Sequence, residues 1–273
     1  MQTELENAVS KPIRVYQCEN SIEGILSGIY QAWSKAYGHK YIRLSVPDLE
    51  ESANLEFFCE YFEVTPIPEQ AEKVAGTIRN RISVKVYETM IHALLSNRPD
   101  KADAVYHMLV GAFRYGESIL EHLAEPAVQA VFEMNRYVGN EAHLYNGFLR
   151  FEESVNGVML ARFQPINDLL EVVTPHFENR FSRENFIIYD TGRQKAAFHR
   201  AGYPFVVREV TEAEMQQFMH CSERELQFQQ FWQTFFETIA IAERENPKLQ
   251  RNMMPLHYRK YMTEFKKRGE KNR

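Results

Sequence analysis

From Ala127 to Leu149, apolar side chains recur at Ala127, Val131, Met134, Val138, Ala142, Tyr145 and Leu149. Steps of three and four trace one face of a helix, and an apolar face of this length has to be buried against something. The period then changes. Residues 149–154 and 158–163 read as strands on either side of Asn156-Gly157, a pair that favours a tight hairpin because both residues tolerate positive φ. A one-sided helix running directly into a hairpin points to helices packed on a sheet, an α+β arrangement.

The rest of the chain extends that pattern. Ile13-Arg14-Val15-Tyr16-Gln17-Cys18 reads as a strand, and Ser21 can cap a helix running to about Tyr37. Residues 41–46 and 57–64 are further strand candidates. Pro68 suits a first helical turn, and helical patterns cover about 68–79, 83–96, 100–118 and 126–148. After the hairpin come a helix over about 169–181, a second hairpin formed by 186–190 and 195–199 around Thr191-Gly192, and a strand over 205–210. From Thr211 the chain is helical again. Phe231, Phe235, Ile239 and Ala242 line one face of a long helix expected to stop near Asn246, because Pro247 disfavours helix at the residue before it. Short helices are expected to start near Pro247 and Pro255. The expected architecture is α+β, with a helix-rich N-terminal half, a small antiparallel β region with packed helices, and a helical basic C-terminus. It forms one large domain over 1–273, a seam, if any, lying near 120–126, with 266–273 as a flexible basic tail.

Charge is polarised. The 273 residues carry 32 Lys/Arg and 37 Asp/Glu, a net −5. From Arg244 to Arg273 there are 10 basic and 3 acidic residues, a local +7, which leaves 22 basic against 34 acidic, or −12, on the remainder. A basic end on an acidic body suits an anionic partner, although a solvated tail has the same composition. Cys18, Cys59 and Cys221 are far apart and form no C-x-x-C, so spacing supports neither a metal site nor a disulfide framework, and reduced thiols in a cytoplasm are the simplest reading. No run of about 18 apolar residues occurs, so no membrane span is expected. Nucleotide-binding glycine loops, G-x-S-x-G, H-E-x-x-H and the zinc-deaminase pattern are all missing. No cofactor or metal is expected.

Four clusters could carry chemistry. In Gly139-Asn140-Glu141-Ala142-His143-Leu144-Tyr145-Asn146-Gly147, two glycines sit one helical turn either side of His143, with Asn140, Asn146 and Arg150 toward the same side. Helical glycine costs up to about 1 kcal/mol against alanine, so something is expected to approach this face closely, either a ligand or a packed backbone. His176 and Arg180 are four apart and suit an anion, or a surface pair with Glu178 or Glu184. Asp190 ends the apolar run Phe186-Ile187-Ile188-Tyr189, where a carboxylate can be functional or can simply start the turn Asp-Thr-Gly-Arg. Last, Arg244, Asn246, Lys248, Gln250, Arg251, Tyr258, Arg259 and Lys260 interleave cations, amides and aromatics, a composition that suits phosphates and stacked bases. A helical hairpin packed on the body would look much the same.

In order and density these segments resemble a bacterial family associated with DNA repair or DNA metabolism that carries a domain of unknown function. The resemblance rests on Asn140-Glu141-Ala142-His143 through Gly147-Phe148-Leu149-Arg150-Phe151, Pro175-His176-Phe177 with Asn179-Arg180-Phe181, and Phe186-Ile187-Ile188-Tyr189-Asp190. It continues in Ile239-Ala240-Ile241, Glu243-Arg244, Asn246-Pro247, Gln250-Arg251, Met254-Pro255 and Tyr258-Arg259-Lys260, with Tyr16-Gln17-Cys18 and Glu23-Gly24 at the start. It implies a radical-SAM protein as partner. Some members continue into a uracil-DNA-glycosylase-like domain that has no counterpart in these 273 residues.

Three readings follow. In the first, the chain is a DNA-binding or DNA-processing accessory of a radical-SAM enzyme, in the cytoplasm, with Arg244, Lys248, Arg251, Arg259 and Lys260 on phosphates and His143, Arg150, His176 and Arg180 holding an anionic group. In the second it is itself an enzyme on a nucleotide or nucleic-acid phosphate, using His143 or His176, with Asp190, for acid/base work. In the third it is a structural adaptor of the partner.

Overall fold

The computed structural model describes residues 11–49 and 57–265. The expected basic tail at 266–273 lies outside the described residues. The chain divides into two compact units, Met1–Gly139 and Asn140–Arg273.

In the first unit, β1 (Ile13–Gln17), α1 (Ile22–Ser34), β2 (Ile42–Ser45) and β3 (Cys59–Glu63) precede α2 (Pro68–Arg81), α3 (Val84–Leu94) and α4 (Lys101–Tyr115). The strands form a parallel sheet in the order β2-β1-β3. Parallel neighbours need a crossover, and α1 supplies the one between β1 and β2. Ser21 caps α1 as its position suggested, its hydroxyl accepting from the Gly24 N–H at 2.9 Å. Gly28 lets α1 lie close to the sheet, since a Cβ there would collide with the Cys18 sulfur. Burial pushes the Cys18 thiol up to about 12, so it is an inert core group. Ile25, Ile29, Leu44, Ile78, Met90 and Tyr106 are fully buried in one core. The third strand starts later than expected, because Phe57 and Phe58 form an exposed turn with Phe58 at φ 63°.

Helix α5 (Pro126–Phe148) carries the chain across the division between the units. The second unit continues with β4 (Phe151–Glu153), β5 (Met159–Phe163), α6 (Leu170–Arg180), β6 (Phe186–Asp190), β7 (Lys195–His199) and β8 (Val206–Glu209). Both expected hairpins form, β4–β5 and β6–β7, and β8 extends the second. They join through a parallel β5–β6 pair with α6 as the crossover, so the five-stranded sheet β4-β5-β6-β7-β8 is mixed. The first hairpin closes with three residues, 155–157, rather than two. Ser154 N donates to Val158 O at 2.9 Å and Gly157 takes φ 71°.

The C-terminal part consists of α7 (Glu212–Gln216), α8 (Glu223–Thr238), a 3-10 turn over Ala242–Arg244, α9 (Pro247–Met253) and a 3-10 segment over Leu256–Tyr261. The long helix therefore stops at Thr238, well before Asn246. The Thr234 and Thr238 hydroxyls bond back to the carbonyls four residues earlier, and β-branched Thr238, Ile239 and Ile241 follow one another closely, which weakens the last turn. Asn246 then opens a new helix, its side chain accepting from Leu249 N at 3.0 Å with Pro247 in the first turn. The start expected near Pro255 is a 3-10 segment rather than an α-helix.

Candidate nucleic-acid interface

The candidate residues fall into three environments. The first is the carboxyl end of the parallel β5–β6 pair, a place where open sheets often take ligands. Here the chain covers itself. Lys260 Nζ donates to Gln164 Oε1 at 2.7 Å, and the Tyr261 and Thr191 hydroxyls bond at 2.9 Å. Tyr258 is buried, its ring 4.8 Å from Tyr145 and 5.3 Å from Phe148. Burial, with the Glu141 charge adding to it, pushes the Tyr258 phenol up to about 12, and burial raises Tyr145 as well. Arg150 Nη2 donates to Glu264 Oε1 at 2.7 Å, tying the end of α5 to a last 3-10 turn over Thr263–Phe265. The space left among Tyr145, Arg150, Arg162, Gln164 and His257 is about 10 Å³, at most the volume of one water.

Asp190 belongs to the same neighbourhood and has a turn to hold. It is fully buried and accepts from Gly192 N at 2.9 Å, Arg193 N at 3.2 Å and Arg193 Nη1 at 3.1 Å. Burial raises its pKa from the ordinary carboxylate value, with Arg193 pulling the other way. Glu141, from the His143 cluster, is also structural. Its buried carboxylate accepts from Ile166 N at 2.8 Å, Asn167 N at 3.0 Å and Asn167 Nδ2 at 2.7 Å.

The second environment is the exposed helix surface. Asn140 and His143 face solvent on α5. A Cβ at Gly139 or Gly147 would meet nothing within 4 Å, so no backbone among the described residues packs against these glycines. The packing explanation for them fails, and this face of the helix is open. His176 and Arg180 are exposed on α6, with Arg180 over the Phe181 ring at 5.6 Å. Among the described residues neither His143 nor His176 has a hydrogen-bond partner to fix its tautomer. No contact among the described residues joins the two histidines.

The third environment is the arm made by α8 and α9. Arg244, Lys248 and Arg251 are exposed, and among the described residues none of their side chains has a hydrogen-bond or ion-pair partner. Arg244 and Glu245 line a groove of about 770 Å³ with an apolar floor of Phe236, Ile239, Leu249 and Met253, while Lys248 and Arg251 lie on α9 outside its lining. Other candidates from this stretch are engaged internally. Asn246 caps α9, and Arg259 Nη2 donates to the Met254 carbonyl at 2.9 Å and the Gln250 carbonyl at 3.2 Å. The Arg259 guanidinium lies 4.7 Å from the Phe265 ring centroid. The packed-hairpin alternative thus describes residues 254–265, whereas among the described residues the side chains of Arg244, Lys248 and Arg251 stand free.

The groove floor escaped sequence reasoning. An apolar helix face can be read from spacing, but whether the chain covers it cannot.

Among the described residues no group of three or more His, Cys, Asp or Glu side chains could hold a metal ion, and no helix is long and apolar enough to cross a membrane. A family model described as a domain of unknown function (DUF4130) matches residues 99–264, more than half of the chain. No curated protein matches the chain.

Proposed function

Since the chain belongs to the DUF4130 family, a domain of unknown function, we propose from the chemistry of its arm that it binds single-stranded or locally opened DNA. In this reading it is a cytoplasmic accessory in DNA repair or DNA metabolism, and the radical-SAM enzyme implied by the resemblance carries out the radical chemistry.

The observation that carries the proposal is the juxtaposition on α8–α9. Arg244 lines, with Glu245, a groove floored by Phe236, Ile239, Leu249 and Met253, and α9, which supplies Leu249 and Met253 to that floor, also carries Lys248 and Arg251; among the described residues none of the three cations has a hydrogen-bond or ion-pair partner. Phosphates release counterions when guanidinium and ammonium groups replace them, and an exposed base finds an apolar or aromatic surface beside that backbone. Duplex DNA hides its bases in the stack and would use the cations alone. The acidic balance of the remaining chain repels a polyanion and steers it toward this end.

The test is a binding titration of single-stranded, duplex and damaged DNA at two salt concentrations. Single strands should bind more tightly than duplex, and log K should fall with log salt at a slope of about −0.7 for each phosphate neutralised. Replacing Arg244, Lys248 and Arg251 together by Ala should abolish binding while leaving the circular dichroism spectrum unchanged. Absent or salt-independent binding, or a triple variant that binds as the parent does, overturns the proposal.

A further inference from the structure

Helix α8 turns its polar face inward. Glu225, Gln229 and Gln233, four apart, are its least exposed residues, and none of its residues is fully buried. Gln229 Nε2 donates to Glu225 Oε1 at 2.8 Å, and Gln233 Nε2 donates to the Thr263 carbonyl at 3.0 Å. Roughly a third of the way round the helix, Phe228, Phe231 and Phe235 are 57%, 69% and 53% exposed, and Trp232, against Phe235 at 5.9 Å, is 44% exposed. Steps of three and four make them one continuous stripe. Nothing in the helix itself explains an aromatic stripe facing water, since the same backbone would form with these positions polar.

We propose that this stripe is the interface of a homodimer, in which two α8 helices pair antiparallel about a two-fold axis. A two-fold interface has to be self-complementary, and the placement of charge along the stripe meets that condition. With the axis between Phe231 and Phe235, each Phe231 meets the partner helix beside its Phe235, and Phe228 meets the turn around Thr238 and Ile239. The stripe carries one charge, Arg224, at its N-terminal end, where the guanidinium lies 5.6 Å from the Phe228 ring centroid. The last turn of α8 holds no basic residue, and Glu243 lies just beyond it, exposed. Antiparallel pairing brings each Arg224 to the carboxyl end of the other helix, where the helix dipole is negative and Glu243 is close. Parallel pairing would instead set the two arginines side by side.

The area is of the right order. Aromatic side chains bury roughly 150–250 Å² each when fully covered, so four that are about half exposed, with Ile239 and the aliphatic stems around them, offer on the order of 500 Å² per copy. A polar border of Gln227, Thr234 and Thr238 widens this toward the ~800 Å² per partner of a standard interface. The aromatic stripe and the groove beside α9 share Ile239 but no aromatic residue, since Phe228, Phe231, Trp232 and Phe235 do not line the groove, so glutamate at Phe231 or Phe235 tests pairing without touching the groove floor.

Sedimentation equilibrium on the full chain, from submicromolar to high micromolar concentration, tests it. A reversible monomer–dimer equilibrium is expected, and the emission of Trp232 should shift to the red on dilution. Phe231→Glu and, separately, Phe235→Glu should sediment as monomers with unchanged circular dichroism. Arg224→Glu should weaken the dimer severalfold, and adding Glu243→Arg should restore it. If the glutamate variants fail to fold, the charge swap on the parent stripe still decides. The proposal is overturned by a chain that stays monomeric throughout, by a dimer that survives Phe231→Glu, or by a charge swap that does not restore pairing. A monomer whose Trp232 emission responds to single-stranded DNA would instead assign the stripe to base stacking and would also overturn it.

Discussion

Helices α3 and α8 make an instructive pair. Both carry apolar residues at steps of three and four. In α3, Val86, Met90, Ala93 and Leu94 close over one another in the core with α2 and α4, and Ser83 caps the start. In α8, Ser222 caps the start just as well, yet Phe228, Phe231 and Phe235 face water while the glutamines lie against the unit. Local rules decide where each helix begins and which positions share a face. They do not decide which face is covered, because the covering residues come from elsewhere, either in the same chain or in another molecule.

The same truncation should therefore have very unequal consequences in the two helices. Met90→Ala removes a fully buried side chain and should cost about 2–5 kcal/mol in urea unfolding. Phe231→Ala, at concentrations where the chain is monomeric, should stay within about 0.5 kcal/mol of the parent. Equal costs would mean that the stripe on α8 is covered after all.

A middle case sharpens the comparison. Arg150 holds Glu264, whose side chain is only 5% exposed and whose Oε2 has no hydrogen-bond partner among the described residues. Arg150→Ala strands that carboxylate and should cost about 2 kcal/mol, below the ~3–5 of a fully buried pair because Arg150 is itself partly exposed. Hydrogen exchange should speed up in residues 256–265 and, within α8, only around Gln233 and Phe236, which touch Thr263 and Phe265. A uniform change across the second unit would break the distinction between the packed C-terminal segment and the free arm.

Asp190 should give a smaller, pH-dependent effect. Burial outweighs Arg193 and raises its folded pKa above the ordinary carboxylate value, so the folded chain takes up this proton more readily than the unfolded one. The contribution of Asp190 to stability therefore falls as pH climbs from the ordinary aspartate value through the raised one, and is level above that. Asparagine does not titrate. The melting temperature of the parent relative to Asp190→Asn should decline across that interval as pH rises. An opposite slope would mean that Arg193 dominates.

Features fixed by neighbours in sequence were legible before the fold was known. Ser21, Pro68, Gly157 and Asn246-Pro247 each mark a boundary through their own φ or their own hydrogen bond. The parallel pairings were not legible, because register between β1 and β3 or between β5 and β6 depends on contacts across a crossover. The candidate site divides along the same line. Arg244, Lys248 and Arg251 are surface cations and read as such. Arg150, Arg259 and Lys260 look identical in sequence, yet they serve Glu264, the Met254 carbonyl and Gln164. In the Arg150–Glu264 pair, 114 residues separate the partners, beyond the reach of any local pattern.

That division yields the smallest effect on stability and the most direct test of the free arm. Lys248→Ala and Lys260→Ala each remove one ammonium from the basic end of the chain. Lys248 has no partner among the described residues, so its loss should leave stability within about 0.5 kcal/mol of the parent. In single-strand binding it should reduce the salt slope by about 0.7, the share of one phosphate. Lys260 already spends its charge beside Tyr261 and its donor on Gln164, so its removal should slightly destabilise the C-terminal segment and leave the salt slope where it was. If both variants shift the slope alike, the basic end acts as undifferentiated charge and the orientation of individual side chains is irrelevant to binding. If only Lys248 does, the cations the fold leaves unpaired are the ones that meet the phosphates.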